Sequence, residues 1–292
     1  MNGLTPAAAR PWPVTSPFRM RPGLSKLGAM AEQAPDQMPD LFLRDAQAAA
    51  YAAHKRAVLN AVPARGLVGE ADPAVLQAIA DAYAAQTGVV LAPEARALAE
   101  GMQEDFVVLH DEASADGDTM RTRCLSVCFP SNWNPAEKLG LDFSAIHAPV
   151  ADNALLQAGG RGIIDMAFRQ ARMLRHVWLL TPNGDLAQHP ETRRTRWADA
   201  QAAADAAGSR LIDQVFFRVE RQTTLPLPAL RRGVFFIRIL VAPLAGVLAV
   251  APERAAELAE ALRSMSDAVV AYRGMGTVRE RLCAELEAGR RG

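Results

Sequence analysis

The stretch Arg121-Thr122-Arg123-Cys124-Leu125-Ser126-Val127-Cys128-Phe129-Pro130 decides how this chain is read. Cys124, Ser126 and Cys128 alternate with Leu125 and Val127, the period of a strand with two unlike faces. Pro130 has no N–H for a ladder and stops it. Upstream, the polar run 111–118 is a turn, and residues 105–110 are a second strand. Downstream, residues 131–175 read as mostly helical, with Ile163, Ile164, Ala167, Phe168 and Leu174 on the apolar face. Three more strands follow, at 176–180, 214–222 and 234–241. An Ala-rich polar insert, 183–210, separates the first two.

Outside this run the pattern is helical. Leu41, Leu43, Ala50, Tyr51, Val58 and Leu59 give residues 40–62 an apolar stripe. Asp72-Pro73 opens a second helix, an N-cap followed by Pro in the first turn, and Gly88 closes it. A third covers 93–102. Pro252 begins an amphipathic helix through Leu258, Leu262, Met265 and Val269 to about residue 272, and Val278, Leu282 and Leu286 mark a tail helix. Residues 1–39, rich in Pro, Met and Ala without a period, read as a partly ordered arm, and 40–292 as one domain. The class is α+β. Two strands, a helical crossover and three strands form the order of a PAS-like fold, a five-stranded antiparallel sheet cupping a ligand against its crossover, with flanking N- and C-terminal helices covering the rest.

Composition narrows the partners. Lys plus Arg and Asp plus Glu both number 32, so no net field recruits nucleic acid or an anionic membrane. Three cysteines, Cys124, Cys128 and Cys283, leave one over in any pairing. That fits a reducing compartment, and with no signal-type apolar stretch at the start the expected place is the cytoplasm. The apolar run 234–250 is interrupted by Arg238 and Pro243, which makes it a buried strand and turn rather than a membrane span. Neither a Gly-rich dinucleotide fingerprint nor an iron–sulfur cysteine spacing is present.

A few residues carry chemistry. His147 lies in the crossover, beside Ile146 and two residues before Pro149, which restricts the local backbone. It is either a histidine capping a turn or bonded in the core, or a metal ligand. Glu220 and Arg221 are neighbours on an apolar strand and point to opposite faces. A buried charge is costly unless paired, and Arg238 on the next strand is the candidate partner for Glu220. The pair is either a structural cross-strand bridge or part of a polar cluster over a reactive centre.

The block from Ser131 to Val150, Ser-Asn-Trp-Asn-Pro-Ala-Glu-Lys-Leu-Gly-Leu-Asp-Phe-Ser-Ala-Ile-His-Ala-Pro-Val, resembles a signature of the haem-dependent oxidative N-demethylase α-subunit-like family. Gln103-Glu104-Asp105, Arg218-Val219-Glu220-Arg221-Gln222-Thr223, Phe236-Ile237-Arg238 and Tyr272-Arg273-Gly274 resemble further family segments, in order. The resemblance implies haem b in a PAS-type pocket, with His147 as the iron ligand. It carries Trp133, Lys138 and Arg175 over as cofactor contacts. Trp133 would serve by packing, and Lys138 is either a propionate contact or a solvated residue. Glu220, Arg221 and Arg238 become the catalytic candidates: arginine to bond oxygen or a propionate, glutamate to hold an ammonium group. The implied reaction is oxygen-dependent oxidation of a small N-methyl amine, with electrons from a separate flavin and iron–sulfur reductase. Three departures stand out. Val177 replaces an Asn, Ile239-Leu240 replaces a Thr-Tyr pair, and Thr224 to Pro228 lacks two arginines. The rivals are a non-catalytic haem module sensing gas or redox state, and a scaffold that has lost haem.

Overall fold

The computed structural model describes residues 5–6, 11–28, 40–112 and 119–288. Its centre is an antiparallel sheet. β3 (Asp105–Glu112) and β4 (Thr119–Ser126) form the expected hairpin, with Phe106 opposite Ser126. β5 (Met173–Thr181), β6 (Phe216–Leu227) and β7 (Arg232–Pro243) follow the crossover, and β7 returns beside β3 with Ile237 opposite Asp105. The sheet has seven strands rather than five. β1 (Ser25–Lys26) adds to the outer edge of β5 and β2 (Leu67–Gly69) to that of β4, giving the order β1-β5-β6-β7-β3-β4-β2. Strands of two and three residues are too short to show a period in sequence. β1 falls within the stretch read as an arm. Of that stretch, Thr5 donates to the Val241 carbonyl at 2.8 Å, and Trp12, Val14 and Phe18 pack on the core. Residues 1–4, 7–10 and 29–39 lie outside the described residues, as do 113–118 of the polar turn.

Strand alternation gives the sheet two faces. Arg175 and Val177, then Arg218, Glu220 and Gln222, then Ile237 and Ile239 share the first, because Val177, Glu220 and Ile239 lie opposite one another. The crossover covers this face. The expected single helical stretch breaks into α4 (Phe143–His147), α5 (Ala154–Ala158), α6 (Gly160–Ile164) and a π turn, Asp165–Gln170. Ile164, Ala167 and Phe168 pack with Val107, Leu109 and Leu125. Gly233 makes that contact possible, since a Cβ there would meet the Phe168 side chain at 2.9 Å.

The second face is covered from both chain ends. α2 (Pro73–Thr87) and α3 (Ala95–Gly101) bury Phe106, Val108 and Phe236. α7 (Trp197–Ala207), α8 (Leu244–Val250), α9 (Arg254–Arg263), α10 (Asp267–Tyr272) and α11 (Arg279–Ala288) bury Phe217, Val219 and Leu240. The expected C-terminal helix is split because Ser266 caps α10, its hydroxyl accepting from Val269 N. α1 (Ala48–Ala61) fills the space beside β7 where β3 begins. There Tyr51 donates to the Ile239 carbonyl at 2.7 Å, and Lys55 pairs with Asp105 at 3.0 Å, both buried. The three cysteines are free and buried. No described helix is long and apolar enough to cross a membrane.

His176 sits opposite Arg221 on the second face. Burial, then the Arg221 charge, pushes its pKa down to about 4. The unfolded chain therefore takes up a proton before the folded one does. Stability should fall as pH drops from about 6.5 to about 4, by up to about 3 kcal/mol from this group. Urea unfolding of wild type and His176→Leu at pH 7 and pH 4.5 checks this. The acid-induced loss should be smaller in the variant, and equal losses would refute it.

Candidate functional site

On the first face the polar side chains of β6 meet the start of the crossover. Arg218 is fully buried and donates through Nε to Ser131 Oγ at 2.9 Å. A hydroxyl has one hydrogen, and Ser131 gives it to Glu220 Oε1. The other carboxylate oxygen, Oε2, accepts from Gln222 Nε2 at 2.8 Å. Burial lowers the pKa of Arg218 to about 10, with Glu220 opposing, so it is a cation at neutral pH. Glu220 is thus a half-buried carboxylate aimed by two donors, with two acceptor positions left open among the described residues.

Arg175 lies opposite Gln222 on β5. Burial lowers its pKa and the charge of Glu220 opposes that shift, yet its Nε is buried without a hydrogen-bond partner among the described residues. His147 ends α4, a short helix capped by Asp142, whose carboxylate accepts from Ala145 N. Its carbonyl accepts from Val150 N and Asn153 Nδ2, which fixes the turn that follows. Its Nδ1 lies 2.8 Å from the Phe143 carbonyl and must donate to it, and the ring leans on Phe143 at 4.1 Å. Burial, and then the charges of Arg175 and Lys138, lower its pKa against the raising effect of that carbonyl. The imidazole is therefore neutral, with its lone pair on Nε2, which makes no hydrogen bond among the described residues. Lys138 reaches back to the Ile146 carbonyl at 3.5 Å, and Trp133 packs against both apolar clusters of this face. His147, Lys138, Arg175 and Glu220 thus form one electrostatic neighbourhood.

Arg221 and Arg238 are not part of it. They lie opposite each other on the second face. Arg238 pairs with Asp45 at 3.0 Å and stacks on the Tyr51 ring at 3.7 Å, while Arg221 donates to the carbonyls of Asp40 and Leu41. The expected Glu220–Arg238 pair does not form: Ile239, not Arg238, is opposite Glu220. A cleft of about 550 Å³ opens on the Arg238 side beside Asp40, Leu43, Arg44 and Asp45. The two arginines near it spend donors on holding the segment before α1. Leu240 is also on the second face, buried among the C-terminal helices, so its departure from the family pattern does not alter the Glu220 environment. Val177, adjacent to Glu220, does.

Ser131, Arg218, Gln222 and Tyr272 complete the neighbourhood and were not singled out from sequence. Tyr272, half exposed at the end of α10, feels the carboxylate only through space: desolvation first and then the charge of Glu220 raise its pKa. All four stood inside the quoted segments, and period-2 spacing from Glu220 already aligned Arg218 and Gln222 with it.

A family model described as haem-dependent oxidative N-demethylase, alpha subunit-like, matches residues 90–283, about two thirds of the chain. No curated protein matches.

Proposed function

We propose that this chain, which belongs to the haem-dependent oxidative N-demethylase, alpha subunit-like family, binds haem b on the first sheet face and acts on a small amine held by Glu220. The observation that carries the reading is the meeting of a neutral His147, with Nε2 unbonded, and two cations, Arg175 and Lys138. A porphyrin supplies four iron ligands, so one imidazole is enough, and cationic groups suit its propionates. The buried Nε of Arg175 fits an acceptor that none of the described residues supplies. Trp133 would wall the ring. Glu220, held by Ser131 and Gln222, would attract and orient an ammonium group. When bound, haem supplies the oxygen-dependent redox chemistry, here the oxidation of an N-methyl amine to the demethylated amine and formaldehyde. Electrons would come from a separate flavin and iron–sulfur reductase in the cytoplasm.

In this reading 40–292 is one PAS-like haem-binding domain with 1–39 as its arm. The order of two strands, crossover and three strands among β3 to β7 supports it. Val177 favours a second reading, a non-catalytic haem module, because an apolar side chain beside Glu220 replaces an amide that could orient substrate.

The absorption spectrum of the purified protein tests haem binding: a Soret band supports both readings and its absence defeats them. Reduction by dithionite, then oxygen and dimethylamine, separates them. With Val177 beside the carboxylate, formaldehyde release should stay below roughly 1 s⁻¹, the low end of ordinary turnover. Faster release would show the lost amide to be dispensable.

A further inference from the structure

We propose that Gln222 is a specificity-determining residue of this site, the second acceptor in a two-point grip on a substrate ammonium; the inference rests on the amine reading above. Gln222 is 9% exposed. Its Nε2 is spent on Glu220 Oε2 at 2.8 Å. That orientation is chemically forced, because the reverse would set an amide oxygen against a carboxylate oxygen. Its Oε1 is then buried with no hydrogen-bond partner among the described residues. An acceptor left this way is destabilising unless something donates to it. Arg175, opposite on β5, does not donate to it, and the Nε of Arg175 is likewise without a partner among the described residues. The two orphans call for different external groups: an acceptor for Arg175, which the propionate reading supplies, and a donor for Gln222.

An N–H of the substrate is that donor. Glu220 uses one lone pair on each oxygen for Ser131 and Gln222 and keeps two positions for a cation. An ammonium that gives one N–H to Glu220 and another to Gln222 Oε1 satisfies both residues. The grip therefore selects nitrogen with two or more N–H bonds. Dimethylammonium has two, trimethylammonium one and tetramethylammonium none. All three carry the same charge, so attraction to Glu220 is common to them and the Gln222 bond sets them apart.

Calorimetric titration of the protein as purified, at pH 7.5 with these three cations, tests the proposal. Wild type should bind dimethylammonium about tenfold more tightly than trimethylammonium, the worth of about 1.4 kcal/mol and one hydrogen bond. In Gln222→Met the two should bind within about twofold of each other. A merely structural glutamine would lower both affinities together and keep their ratio. Exclusion of the third methyl by size would likewise leave the preference intact in Gln222→Met. Either result overturns the proposal, and so does a wild-type ratio near one, which needs no variant to fold. Glu220→Gln should weaken all three cations. If it changes none of them, or if wild type binds none, the amine reading itself fails and takes this inference with it.

Discussion

On the proposed haem reading, His147→Ala should fold normally and lose the cofactor. The imidazole is half-buried and makes one hydrogen bond, to the carbonyl four residues back in its own short helix, plus the ring contact with Phe143. Removing it should cost the fold about 1 kcal/mol. Its value to a bound iron is of another order. Nδ1–H is committed to Phe143, the pKa is depressed, and the lone pair therefore stays on Nε2 at neutral pH. Alanine leaves a gap of imidazole size beside Arg175 and Lys138. Haem in the variant should be lost on gel filtration, or its Soret band should move sharply. Free imidazole at millimolar concentration should restore the original spectrum by filling the gap. Unchanged absorption and EPR spectra would remove His147 as the ligand.

The sequence showed the two-strand, crossover, three-strand order because those strands are long enough to alternate. The register of β6 on β7 was not legible. Read from the sequence, this strand spans 214–222 and stops short of its end. In the structure β6 runs on to Leu227, which pairs with Arg232 across a short turn. Pro226 is tolerated because it lies beyond Thr223, the last residue of β6 paired with β5. The length of that hairpin sets Glu220 against Ile239 and sends Arg238 to the other face. That Glu220 and Arg221 diverge follows from alternation alone, but which residue of the next strand faces Glu220 depends on a register that alternation does not set. The crossover half of the site was more legible. His147, Lys138 and Trp133 came from one contiguous block, where no register had to be known.

Arg218→Met should be the most destabilising change in this neighbourhood. Arg218 is fully buried, and its charge is held by neutral acceptors. Nη2 donates to the Phe129 and Leu186 carbonyls, each at 2.9 Å, and to Pro130 at 3.4 Å. Nη1 donates to Asp185 at 3.2 Å, and Nε to Ser131. One side chain thus ties the chain leaving β4 to the loop after β5, and both to β6. Methionine keeps most of the volume and removes every donor. Relief of a buried cation works the other way. The fall in pKa to about 10 corresponds to about 3 kcal/mol of strain on the charged form. Against it stand five acceptors stripped of a donor, at about 1–3 kcal/mol each where water cannot reach them. The acceptors win, and the expected net loss is about 3 kcal/mol out of the 5–15 typical of a domain. Lysine should not rescue it, because one ammonium cannot span five acceptors on two segments as a planar guanidinium does. Urea unfolding should show a lower midpoint with an unchanged slope. A loss under about 1 kcal/mol for Arg218→Met, or full recovery with Arg218→Lys, would mean that the loops hold their own positions and that Ser131 meets Glu220 without this arginine behind it.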